Sequence, residues 1–156
     1  MRRQRGITYL WMLFLVFLLS LGLGKTLETY STMLKREKEA ELIATGDQYR
    51  QAIKLYYLSS PGYVKKYPEK LSDLLKDPRH LTTRRYIRKL YNDPISGQPF
   101  ITITAPEGGI MGVASPSDAV PIKQAGFSTV DEGFKGTSRY SAWQFVYSGE
   151  PAAVQR

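Results

Sequence analysis

Met1-Arg2-Arg3-Gln4-Arg5-Gly6-Ile7-Thr8-Tyr9-Leu10-Trp11-Met12-Leu13-Phe14-Leu15-Val16-Phe17-Leu18-Leu19-Ser20-Leu21-Gly22-Leu23-Gly24 opens the chain with a basic hexapeptide and then a nearly unbroken apolar run. The eighteen residues from Ile7 to Gly24, at 1.5 Å each, make a helix of about 27 Å, close to the roughly 30 Å of a bilayer's hydrocarbon core. Arg2, Arg3 and Arg5 precede the run and only Lys25 follows it directly. The excess of arginine marks the N-terminus as cytoplasmic, so the rest of the chain is expected across the membrane. A cleaved secretory signal, ending at the small residues Gly22-Leu23-Gly24, and a simple single-span anchor remain alternatives to the reading developed below.

Residues 26–59 continue in helical register. Apolar side chains fall at Leu27, Tyr30 and Leu34, then at Leu42, Ile43, Tyr49, Ala52, Ile53 and Tyr56, mostly three or four apart. The intervening Lys35-Arg36-Glu37-Lys38-Glu39-Ala40-Glu41 reads as a solvated stretch laced by local ion pairs. No proline interrupts residues 1–60, so one helix of about 50 residues and roughly 75 Å is expected. Gly22, Gly24 and Gly46 are the positions where it could bend.

The rest has the size of one small core with the second half of the helix as a wall. Leu71, Leu74 and Leu75 suggest a short helix, and residues 82–90, with Tyr86, Ile87 and Leu90, a second. The turn formers Asn92-Asp93-Pro94-Ile95-Ser96-Gly97 lead into an alternating strand, Phe100-Ile101-Thr102-Ile103-Thr104. Pro106-Glu107-Gly108-Gly109 then turns it into Ile110-Met111-Gly112-Val113. A third strand is expected over residues 140–147; apolar on both faces, it suits a central or covered position. Residues 149–156 are expected to fray. The expected fold is α+β: a long N-terminal helix, membrane half then amphipathic half, packed on a small antiparallel sheet. Its segments are a leader 1–6, an apolar helix 7–24, an amphipathic continuation 25–60, a globular domain 61–148 and the tail.

The boundary before the apolar run carries a more specific signal. A short basic leader ending in Gly6, followed by Ile7-Thr8-Tyr9-Leu10, resembles the type IV pilin and type II secretion pseudopilin family. The resemblance extends to the paired Tyr56-Tyr57, the Tyr67-Pro68 loop and the Asp93-Pro94 turn, over roughly the first 110 residues. It implies cleavage by a prepilin peptidase between Gly6 and Ile7, N-methylation of Ile7, and assembly through Thr8, Leu10 and Trp11. The family usually has glutamate where this chain has Trp11; an indole donates but cannot accept, so it cannot offset a neighbour's amine. The implied partners are other pseudopilins or pilins, the peptidase, an inner-membrane assembly platform and membrane lipid. The implied location is the inner membrane with a periplasmic C-terminal domain. A pseudopilin of a secretion apparatus is the leading reading. A minor pilin, including one of a DNA-uptake pilus, and an unprocessed tethered binding domain are the alternatives.

Motifs for catalysis are sparse. There is one histidine, His80, read as an exposed loop residue beside Arg79, and there is no cysteine, so disulfides play no part. The chain is read as non-enzymatic, with no certain cofactor. The family resemblance implies a calcium ion in residues 115–132, with Ser117, Asp118 and Asp131 as candidate ligands; a solvated acidic loop is the alternative. Removing the three leader arginines lowers the formal charge from +8 to +5. Much of that charge is concentrated in a basic patch of Lys65, Lys66, Arg84, Arg85, Arg88 and Lys89. Tyr63, Tyr67, Tyr86 and Tyr91 are interleaved with it and could stack on bases. Acidic neighbours or anionic phospholipid are the preferred partners for such a patch, and nucleic acid the lesser one.

Overall fold

The computed structural model describes the backbone of residues 5–149 and the side chains of residues 7–20 and 30–149. Most of the leader and the tail beyond Gly149 lie outside the described residues. The chain divides into two compact units, Met1–Glu37 and Lys38–Arg156. Helix α1 runs over Arg5–Leu58, close to the expected length and ending, as expected, before Pro61.

In the second unit the helix packs on a three-stranded antiparallel sheet of order β1-β2-β3, with β1 at Ile101–Thr104, β2 at Ile110–Ala114 and β3 at Gln144–Val146. The fold is α+β. The β1–β2 hairpin turns where Gly108 and Gly109 take positive φ, a conformation that side chains with a Cβ resist. Gly108 N–H donates to the Ala105 carbonyl and Ala105 N–H to that of Gly109. The Asp93 turn closes as its composition predicts: the Asp93 carboxylate accepts from Ser96 N–H at 2.9 Å and Gly97 takes positive φ.

The buried face of α1 runs through Glu39, Leu42, Gly46, Tyr49, Ile53 and Tyr56, spacings of three and four that form one stripe. Against it lie Val113 of β2, Phe145 of β3, and Trp143, which forms an aromatic cluster with Phe134, Phe127 and Tyr140. Tyr49 fastens the loop before the sheet: its hydroxyl accepts from Tyr91 N–H at 2.7 Å and donates to the Tyr91 carbonyl at 3.0 Å.

Three expectations are corrected. Residues 82–90 form no helix. Their backbone is bound across the chain instead: Tyr86 and Ile87 N–H donate to the Leu74 carbonyl, and the Arg84 carbonyl accepts from Asp77. The short helix expected around Leu71 does form, as a 3-10 helix over Leu71–Leu74. The third strand is shortened to three residues because Tyr140–Ala142 is also a 3-10 turn, and a further one spans Thr129–Phe134. β3 lies at the sheet's edge rather than its centre; its apolar face is covered by the helix, as the sequence reading also allowed. Gly46, read as a possible bend site, serves as a contact point. A Cβ there would come within 2.4 Å of the Phe145 ring, so glycine is required for the helix and β3 to touch.

An exposed helical Gly→Ala change stabilises by up to about 1 kcal/mol, but Gly46→Ala is expected to destabilise by about 1–3 kcal/mol through overpacking. Chemical denaturation of the solubilised full chain measures this. Adding Phe145→Leu should recover part of the loss, and purely additive effects would disprove the contact.

Candidate functional site

Three groups of residues come from the sequence as candidates: the N-terminal apolar helix, the acidic loop and the basic segment. In the first, every described side chain from Ile7 to Ser20 is exposed. Leu10 and Trp11 each show 66% of their surface, and Met12 and Leu13, which complete the circuit of the helix, show 71% and 50%. Trp11 meets Phe14 edge-on, with ring centroids 6.2 Å apart. Among the described residues, no helix is long and apolar enough to cross a membrane. The expected span of residues 7–24 ends on four residues whose side chains are outside the described set, and Gly6 lies at the edge of the described helix.

The acidic loop is held by an ion pair and side-chain hydrogen bonds. Asp131 is buried and paired with the equally buried Arg50 at 2.6 Å, and its second oxygen accepts from the Ser128 hydroxyl at 2.7 Å. Arg50 also meets Asp47 at 2.6 Å and lies 5.4 Å from the Phe145 ring centroid. Burial pushes the Asp47 carboxyl up, and Arg50 offsets part of that rise. Asp118 is exposed and accepts from the Ser141 hydroxyl, while the Ser117 hydroxyl accepts from Ala119 N–H. Among the described residues no three acidic or histidine side chains form a group that could hold a metal ion.

Glu39 departs most from its sequence reading. In place of solvent, its carboxylate accepts from the backbone N–H groups of Ile122 and Lys123 and from the Tyr140 hydroxyl at 2.8 Å. Burial, with the Glu39 carboxylate beside it, pushes the Tyr140 hydroxyl pKa up. The charged run therefore contains the anchor of the 121–123 segment. Only its place in the stripe, three residues before Leu42, could have signalled this.

The basic segment is assembled around the end of α1, whose last carbonyls lack helical partners. Arg79 donates to the Tyr56 carbonyl at 2.9 Å and to the Ser60 hydroxyl at 2.7 Å, with its guanidinium 3.6 Å from the Tyr56 ring centroid. Lys65, half-buried, donates to the Leu58 and Ser60 carbonyls. His80 is half-buried rather than exposed, with Nε2 3.3 Å from the Ser59 carbonyl. Beneath these, Asp77 is buried and forked by Arg79 at 2.8 and 2.7 Å, and also accepts from the Tyr86 hydroxyl. Lys66, Arg84, Arg85, Arg88 and Lys89 are exposed, with Lys89 5.1 Å from the Tyr91 ring.

Of the interleaved tyrosines only Tyr63 is free. Tyr67 packs at a tilt on Tyr57 with ring centroids 4.6 Å apart, Tyr86 is edge-on to Tyr56 and bound to Asp77, and Tyr91 is edge-on to Tyr49. That set is unsuited to stacking successive bases. An open cleft of about 350 Å³ lies between α1 and residues 86–88, lined by Asp47, Gln48, Gln51 and Arg88 among others. Its lining includes no nucleophile paired with a base. No family model, curated protein or solved structure matches the chain.

Burial alone would raise the Asp77 carboxyl, but hydrogen bonds from Arg79 and Tyr86 outweigh it and hold the group well below the usual carboxylate range. A depressed folded pKa gives stability that is complete above the unfolded value of about 3.9 and lost as pH falls below it. Acid unfolding followed by tryptophan fluorescence should therefore steepen below about pH 4, and Asp77→Asn should flatten that limb while lowering stability at neutral pH. Glu39→Ala, which strands two backbone donors, is expected to destabilise by about 3 kcal/mol and Tyr140→Phe by about 1 kcal/mol; equal effects would remove Glu39 as the anchor.

Proposed function

We propose that this chain is a pseudopilin-type subunit, inserted through its apolar N-terminal helix, processed between Gly6 and Ile7, and assembled by packing that helix against those of other subunits. The observation that carries this reading is the uncovered helix surface over residues 7–20. It is apolar on every side and exposed throughout, from Ile7 at 57% to Leu19 at 61%. Such a surface is not stable in water; lipid or other helices must cover it.

Either covering suits the two states of such a subunit, lipid before assembly and neighbouring helices after it. Between helices in an apolar medium, van der Waals packing replaces the hydrophobic effect, so the large side chains of Leu10, Trp11 and Phe14 would set the fit. The hollow they line is apolar. With Trp11 in place of a carboxylate, contacts at this position are those of shape and ring edge rather than charge. A DNA-uptake role has less support, because three of the four interleaved tyrosines are engaged within the domain.

The N-terminal mass of the protein isolated from membranes tests the proposal. A chain beginning at N-methylated Ile7 is expected; a start near Lys25 would mean a signal peptide, and intact Met1 a simple anchor. Replacing Gly6 by valine should leave the full-length precursor. Unchanged processing in that variant would show that the cleavage site lies elsewhere.

A further inference from the structure

Two loops meet at the C-terminal end of α1, and the hydrogen bonds that bring them there leave their tips uncovered. Residues 61–66 are held by Lys65 on the Leu58 carbonyl and by Lys66 N–H on the Ser60 hydroxyl. Residues 79–81 are held by Arg79 on that same hydroxyl and His80 on the Ser59 carbonyl. Tyr63 and Leu81 stand fully exposed at the two tips, with Val64 at 70%. An isolated exposed leucine is unremarkable. Two loops presenting apolar tips from one anchored end, each followed within a few residues by a pair of cations, are a pattern: Tyr63-Val64-Lys65-Lys66 and Leu81-Thr82-Thr83-Arg84-Arg85.

Cations outnumber carboxylates around the tips, although Glu69 and Glu107 share a hollow with Val64, Lys65 and Lys66. Asp77 is neutralised by Arg79, and Asp73 caps the Lys70 N–H. Lys66, Arg84 and Arg85 have exposed side chains. We infer that this end of the domain is a membrane-docking surface for anionic phospholipid, with Tyr63 and Leu81 entering the interface and Lys66, Arg84 and Arg85 meeting the headgroups. A soft interface takes protruding side chains without a preformed recess, while cations a few residues away remain at headgroup depth. A protein partner would need a matching pocket for each tip, and nucleic acid would gain little from Leu81 or Val64. The inference concerns the second unit alone and does not rest on the filament reading.

The test uses the full chain held in phosphatidylcholine nanodiscs, so that the N-terminal helix is already covered. Flotation with added vesicles compares pure phosphatidylcholine with a phosphatidylcholine–phosphatidylglycerol mixture. Binding is expected only to the anionic vesicles, weakening as salt rises. Arg84→Gln with Arg85→Gln should weaken it about 25-fold, at about fivefold per cation. Tyr63→Ser with Leu81→Ser should weaken it at least about tenfold while leaving thermal stability unchanged, since both tips are uncovered. The chain has no cysteine, so Leu81→Cys carries a single environment-sensitive dye, whose emission should shift to the blue on anionic vesicles. Equal binding to neutral vesicles, or anionic binding without the blue shift, would overturn the inference. Displacement of the vesicles by polyglutamate or single-stranded DNA at similar charge concentration would overturn it in favour of an acidic protein or a nucleic acid.

Discussion

The contact between the Phe145 ring and the helix backbone at Gly46 sets the geometry of the globular unit. Because position 46 has no side chain, the edge strand comes down onto α1. Phe145 pairs with Val113 across β2–β3, so the central strand is seated by the same approach. Trp143, two residues before Phe145, is thereby delivered into the aromatic cluster with Phe134 and Tyr140. A sheet of three short strands has little independent stability. What makes it a folded unit is the helix stripe it lies on.

That stripe is not purely apolar, and its polar members organise the second half of the chain. Glu39 binds the backbone at 122–123 and the Tyr140 hydroxyl; Arg50 binds Asp131; Tyr49 binds Tyr91. Each ties a loop distant in sequence to one helix. Removing a single member of a buried ion pair such as Arg50–Asp131 costs about 3–5 kcal/mol, since the survivor is left charged and unpaired. The polar groups therefore specify where the irregular segments lie, while the apolar ones supply most of the driving force. With so little regular structure beyond the helix, this division of labour replaces the long strand ladders of larger domains.

The same logic accounts for the two surfaces that carry the functional proposals. The N-terminal helix is apolar all round and exposed over its described residues 7–20. The loops at the end of α1 are uncovered at their tips because their hydrogen-bonding groups are occupied in closing the helix: Arg79, Lys65 and His80 take the carbonyls that the helix leaves unpaired. Those carbonyls are paired, and the apolar tips are left outside.

The sequence by itself determined the limits of α1, the hairpin at 101–114 and the turn at 92–97, because proline, glycine and residue periodicity act over a few neighbours. It also determined the apolar run and the basic pairs, which are matters of composition. Glu39 and Gly46 were misread for one physical reason. A carboxylate in a charged run and a glycine in a helix have ordinary local meanings, and only the arrival of residues about 100 positions away converts them into an acceptor and a contact point. Residues 82–90 carried a helical pattern, yet their backbone bonds to Leu74 and Asp77 instead. The local propensity was weak, and partners across the fold outbid it. Asp131, a candidate ligand on the sequence, turns inward to the buried cation Arg50, a pairing that no spacing along the chain could display.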